Sequence, residues 1–220
     1  MRSALHFLGV LITAVAIVSC SQPVQPATDE KSLPFYTTAD FTPRWIASTD
    51  TAYAGIHAIP DFHLIDQSGE PVTAKTVNNK IYVAGFFFTS CPGICKRLTN
   101  HLALVQQAYL TDPDLRILSH SVTPETDNVA RLAQYASAHG VIGNKWLLLT
   151  GDRDSIYTLA RKAYFADEDM GAQKSSSDFL HTENLLLIDR HRRIRGVYKG
   201  TSLKDVNNLI ADIRVLKQEE

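Results

Sequence analysis

Two of the three cysteines, Cys91 and Cys95, stand in the stretch Cys91-Pro92-Gly93-Ile94-Cys95, directly behind the apolar run Ile81–Phe88. The spacing is C-x-x-x-C, one residue wider than the C-x-x-C of dithiol oxidoreductases. Residues four apart on a helix share a face, so both sulfurs can point at one ion. That extra residue tilts the reading from electron shuttling towards metal holding. Thiolate is the form that binds metal or attacks a disulfide, and a helix N-terminus lowers a thiol pKa. Cys91 falls just before the predicted helix and Cys95 in its first turn. Pro92 suits the first helical position, where its missing N–H is not needed. Gly93 leaves the opening turn unencumbered. Outside the cytoplasm disulfides are permitted, so Cys91 and Cys95 are expected to join when no ligand holds them.

Two thiolates are too few to close most metal sites, and eight histidines offer a third ligand. His6 lies in the leader, His57 and His63 in or beside an N-terminal hairpin, His101 within a helix, His139 at a helix end and His191 in a basic turn. Those six read as surface or internally satisfied side chains. His120, near the end of a strand, is a lesser candidate. His181 differs because it stands just ahead of the predicted strand Glu183–Asp189, at the mouth of a polar loop. In a thioredoxin-like chain that position faces the redox cysteines and carries a cis-proline. All nine prolines here lie at or before Pro124, so none can occupy it. A histidine opposite two thiolates makes an S₂N set. Such a set suits Cu(I) and also accepts Cu(II) or Zn(II); the residues alone leave that choice open.

The elements that must position these side chains follow from periodicity. Phe62–Ile65 and Pro71–Ala74 flank Asp66-Gln67-Ser68-Gly69 and predict a hairpin. Ile81–Phe88 is continuously apolar, as a strand covered on both faces should be. Pro92–Leu110 carries Ile94, Leu98, Leu102, Val105 and Tyr109 at helical spacing. A strand over Leu115–Val122, a helix over Thr126–His139 closed by Gly140, and a short strand over Trp146–Thr150 come next. Asp152 caps a further helix bearing Ile156, Leu159, Ala160 and Ala163. Residues 167–180 form a polar loop. Glu183–Asp189 and Arg193–Lys199 make a second hairpin around Arg190-His191-Arg192-Arg193, a solvated tip by its composition. Ser202 and Asp205 have the spacing of a capping box and open a last helix with Leu203, Val206, Leu209, Ile210, Ile213 and Leu216 on one stripe. Helices alternating with apolar strands predict an α/β domain with a central sheet and helices on both faces. The cysteine pair falls at the carboxyl end of a strand, where open α/β sheets place their sites.

The N-terminus carries Arg2, an apolar stretch from Leu5 to Val18, then Ile17-Val18-Ser19-Cys20. The stretch is shorter than the roughly 20 residues of a spanning helix and ends on small residues, as an export signal does. The cysteine after Ile-Val-Ser resembles a bacterial lipobox, which would make Cys20 the acylated first residue of the mature chain. The expected organisation is a lipoprotein signal peptide over 1–19, a lipidated Cys20 and flexible tether over 20–33, and one folded domain over 34–220. The domain then sits on the periplasmic side of a bacterial cell envelope. The 22 basic and 23 acidic side chains give a formal charge of −1, with nothing to suggest nucleic-acid binding.

Taken together, these residues resemble the Sco/SenC family of copper-binding, thioredoxin-like proteins. The matching stretches are Ile59-Pro60-Asp61-Phe62, Gly85 to Cys95, Ser121 to Asp127, and the His181 region leading into Leu185–Asp189. They run in the family's order over roughly residues 58–215. Phe-Phe-Thr-x-Cys-Pro-x-x-Cys with a distal histidine is specific, whereas a lone C-x-x-x-C would not be. The resemblance implies a thioredoxin-like fold, a central mixed sheet flanked by helices with an N-terminal hairpin. It also implies that Cys91, Cys95 and His181 bind one copper ion per chain. The implied role is to deliver copper to, or keep reduced, the dinuclear copper centre of a haem-copper cytochrome oxidase. Expected partners are the copper-site subunit of that oxidase or another envelope cuproprotein, a thioredoxin-like reductant, and the membrane through the N-terminal lipid. A thiol-disulfide oxidoreductase or a redox sensor using Cys91 and Cys95 is the alternative. Two positions depart from the family pattern: Lys96 stands where many members have a second proline, and Thr123 where many have an aspartate.

Overall fold

The computed structural model describes residues 32–167, 180 and 182–219. His181, Cys20, the signal peptide and most of the tether and of the polar loop 167–180 lie outside the described residues. Among the described residues, β5 (Ile81–Phe87) is the centre of the sheet, and all seven of its residues are buried. Parallel to it run β6 (Leu115–Ser121) and then β7 (Trp146–Leu149). On its other side β8 (Asn184–Ile188) and β9 (Ile194–Lys199) pair antiparallel. The edge is extended by β1 (Phe35–Tyr36) and β2 (Pro43–Arg44), giving the order β2-β1-β9-β8-β5-β6-β7. The hairpin of β3 (His63–Ile65) and β4 (Pro71–Thr73) stands apart as a two-stranded sheet. It is joined to the strand end at β7 by the bridge of Ile65 with Thr150.

Alternation along the strands divides the core in two, because successive side chains point to opposite faces. Ile81, Val83 and Phe87 pack with Leu98, Leu102 and Val105 of α1 (Ile94–Ala108), Leu132 of α2 (Val129–His139) and Leu209 of α4 (Leu203–Glu219). Tyr82, Ala84 and Phe86 pack on the other face. They meet the hairpin's Leu64 and Val72, Ile156 of α3 (Arg153–Thr158), and Leu159 and Ala163 of the π-helical turn Leu159–Ala163. Helices therefore cover both faces, as predicted. A fully buried leucine or isoleucine of this kind contributes roughly 1.5–3 kcal/mol.

Local signals mark most element ends. Asp152 accepts the N–H of Ser155, and Gly140 closes α2 at φ 65°, a conformation cheap only for glycine. Ser202 accepts the N–H of Asp205 at 3.3 Å, whereas the Asp205 carboxylate takes the N–H of Lys199 at 3.2 Å, so the capping box is half formed. Three expectations are corrected. Residues 34–58, whose aromatics Phe35, Tyr36, Phe41 and Trp45 follow no clear repeat and so predict an irregular N-terminal extension, supply β1 and β2, because Tyr36 finds a register against Ile194 on an otherwise open edge. The helix predicted from Pro92 begins at Ile94, and that predicted from Thr126 begins at Val129 behind an Asn128 cap. The basic turn is engaged rather than solvated. Arg192 pairs with Asp61 at 2.6 Å, Arg190 donates to the Asn79 carbonyl, and Arg193 lies over the Tyr53 ring.

Candidate metal centre

The parallel strands deliver their loops to one edge, and the cysteines stand on the loop that leaves β5. Cys95 is buried at 5% exposure, Cys91 is half-buried, and both are free thiols. They are not stacked on one helical face as the spacing suggested. Helix α1 has no side-chain cap on its first turn, and its Gly93 cap residue adopts φ −128°, ψ −106°. Cys91 precedes the helix, and its sulfur takes the place of the cap.

The two thiols are linked and unequal. Burial pushes the Cys91 thiol up, but the hydrogen bond from Cys95 and the backbone N–H groups of Gly93, Cys95 and Ile94 outweigh it and hold Cys91 below the usual thiol range. Cys95 is pushed up to about 12 by burial and by its bond to Cys91; the N–H of Phe88 opposes this, and the charge of Asp127 adds to it. The helix N-terminus therefore acts on one sulfur, as oriented N–H groups should. Phe88 touches both: its carbonyl accepts the Cys91 N–H at 3.3 Å, and its own N–H reaches the Cys95 sulfur.

A cavity of about 330 Å³ opens over this pair, walled by Phe86, Phe87, Phe88 and Val122 and by the exposed Pro92, Gly93 and Ile94. Leu180 and Thr182, the residues on either side of His181, also line it. The chemistry of the donors fits a soft ion: two sulfurs in contact, one readily ionised, in an apolar setting. His120 is not among the lining residues. It is fully buried on β6, with Nδ1 3.2 Å from the Gly85 carbonyl, its ring stacked on Phe86 and its Nε2 without a hydrogen-bond partner. Burial lowers its pKa to about 4. It belongs to the core behind the cavity wall. His57, His63, His101 and His139 are likewise absent from the lining.

One residue of the site has no role in the sequence reading beyond membership of a matching stretch. Asp127 is fully buried and accepts hydrogen bonds from Thr89, Ser121 and Thr123, which ties the cysteine loop to the end of β6. The signal for it was an aspartate one residue before a helix cap, in a loop that also carries the hydroxyls of Ser121, Thr123 and Thr126.

Comparison with known proteins agrees with this geometry. The family profile described as SCO1/SenC matches residues 50–218. The SCO1 protein homolog of Bacillus subtilis (strain 168) is 24% identical over 160 residues, covering 72% of this chain and 82% of that one. Among solved structures, copper-bound ScoI of Bradyrhizobium japonicum superposes with a TM-score of 0.57 at 25% identity, covering 72% of this chain and 99% of the other. BsSco, described as a member of the Sco family of cytochrome c oxidase assembly proteins with a disulfide switch, has the same fold at a TM-score of 0.63 and 23% identity, covering 74% and 95%. A match over that span, reached by a chain whose paired thiols stand at the carboxyl end of the central strand, places the protein: it belongs to the SCO1/SenC family.

Proposed function

We propose that this protein holds one copper ion between Cys91, Cys95 and His181 and passes it to the copper site of a haem-copper cytochrome c oxidase. The observation that carries this reading is the cavity over the cysteines, whose wall includes both sequence neighbours of His181. An imidazole from that segment completes an S₂N set, and copper is the ion bound in related structures. In this reading the ion is cargo. Cys91 supplies a thiolate stabilised by four donors, Cys95 ionises as the cation displaces its proton, and the half-exposed Cys91 gives an incoming ligand access. The cavity stays open towards Pro92, Gly93 and Ile94, so a partner's sulfur or imidazole can approach before the first ligand leaves. Cys20 would carry the lipid that tethers the domain to the periplasmic side of a bacterial membrane, with residues 20–33 as the leash.

The inequality of the two thiols favours one second reading, reduction of a partner disulfide. The Cys91 thiolate attacks one partner sulfur and expels the other as thiolate. Cys95 then loses its proton and attacks the mixed disulfide, so two electrons pass to the partner and the Cys91–Cys95 disulfide remains. The readings separate on His181, which copper transfer needs and thiol exchange does not. Titration of reduced wild-type protein and His181→Ala with Cu(I) against a competing chelator tests this. One tightly held copper per wild-type chain and none in the variant is expected; equal affinity removes the imidazole from the site.

A further inference from the structure

Asp127 has no exposed surface and no cation among its hydrogen-bond donors. One carboxylate oxygen accepts from the Thr89 hydroxyl at 2.5 Å. The other accepts from the Thr89 N–H at 3.1 Å, the Ser121 hydroxyl at 2.6 Å and the Thr123 hydroxyl at 3.1 Å. The Arg131 guanidinium stands one bond further away, donating Nε to the Thr89 hydroxyl at 3.1 Å. Burying a carboxylate without a counter-ion costs several kcal/mol and persists only where donors replace water. Tying two loops together does not require that cost, since a neutral hydroxyl or amide can bridge them. Thr123 donates to Asp127, whereas the other acid of this loop, Glu125, is exposed and pairs with Arg153.

The grip reaches both sulfurs. Thr89 offers Asp127 its N–H and its hydroxyl, and the preceding residue, Phe88, holds the Cys91 N–H with its carbonyl and the Cys95 sulfur with its N–H. We infer that Asp127 is a positioning residue of the cysteine site: it clamps the Phe88–Thr89 backbone so that the two sulfurs stay in contact, and its uncompensated charge favours a bound cation. The second half rests on the copper reading given above, and the first does not.

Two arms on the full-length reduced protein separate them. In the copper-free arm, wild type, Asp127→Asn, Thr89→Val and Thr89→Ser are equilibrated with glutathione and its disulfide. Each Cys91–Cys95 bond formed passes two electrons to one glutathione disulfide and releases two glutathione thiols. Alkylation and mass measurement give the oxidised fraction. Loss of the clamp should lower the equilibrium constant for disulfide formation about tenfold in Asp127→Asn, the size of one lost charge-assisted hydrogen bond. Thr89→Val should fall between it and wild type, and Thr89→Ser should match wild type. In the copper arm, Asp127→Asn should raise the midpoint potential of the bound ion, because removing a negative charge destabilises Cu(II) more than Cu(I). Urea midpoints check folding; if Asp127→Asn does not fold, the contrast between Thr89→Val and Thr89→Ser decides. A wild type that binds no copper while the variants shift the glutathione equilibrium would overturn the copper reading and support the clamp. Copper-binding wild type with both arms unmoved by Asp127→Asn would overturn the clamp alone.

Discussion

Two cavities on this domain carry different kinds of side chain and differ in whether those side chains converge. The larger, about 740 Å³, lies between the segment His57–Leu64 and the turn from Asp154 to Ala163, and contains two histidines, two aspartates and a lysine. Two of these groups are committed elsewhere. His57 Nε2 is 2.8 Å from the Ala163 carbonyl and its ring lies against Phe165, while Asp61 is paired with Arg192. The smaller, about 330 Å³, has two free thiols ringed by phenylalanines. No group of three or more His, Cys, Asp or Glu side chains is arranged to hold an ion among the described residues, and His181 is not one of them. Volume therefore does not locate the chemistry. Soft donors that stand together on one cavity do, and here those are the two thiols.

The sharpest break in this comparison comes from removing a donor on each side. Cys91→Ser or Cys95→Ser should weaken copper retention by at least about a hundredfold, beyond the ten- to hundredfold typical of outer-shell changes, as read by chelator competition. Retention in either variant would place the ion elsewhere. Next in size, iodoacetamide at pH 8 followed by peptide mapping should label Cys91 at least about tenfold faster than Cys95, since the thiolate fraction sets the rate. Equal labelling would erase the inequality on which the disulfide-reducing reading stands.

A smaller effect concerns the wall behind the cavity. His120 is held neutral, with a folded pKa of about 4 against an ordinary 6.5. Above pH 6.5 neither state takes up a proton and stability is unaffected. Below it the unfolded chain protonates first, so stability falls as pH drops towards 4, by an upper limit of about 3 kcal/mol. Urea unfolding between pH 7 and pH 4 reads this slope, and His120→Phe should flatten it; an unchanged slope would assign the acid sensitivity to other groups. Smallest of all, the double change His57→Ala, His63→Ala should leave copper stoichiometry at one per chain. A lost copper there would show that the larger cavity takes part.

Much of this was legible without coordinates. The continuous apolar run of β5, the Asp152 and Gly140 caps and the hairpin around Gly69 are local signals, and each element formed within a few residues of its expected bounds. The strands β1 and β2 were not legible, because two-residue pairings carry no period and depend on an edge that the rest of the fold supplies. The cysteine helix started two residues late for a similar reason. Pro92 satisfies the first-turn preference, but the N–H groups of Gly93, Ile94 and Cys95 turn to the Cys91 sulfur, and the helix proper starts at Ile94. His120 was a ligand candidate by its place near a strand end; its side chain lies among the core residues behind the wall, a matter of register on β6.

The chain by itself determined the two-cysteine spacing, the strand that carries it, the absence of any proline after Pro124 and the alternation of strands and helices, because all of these are read from near neighbours. Tertiary structure alone decided that Cys91 and Cys95 differ, that Asp127 is buried near them without a counter-ion among the described residues, and that His57 of the larger cavity is already committed. Those outcomes depend on groups distant in the chain meeting in one place, Thr89 with Asp127 and His57 with Ala163 among them, where burial and donor geometry set which side chain remains available.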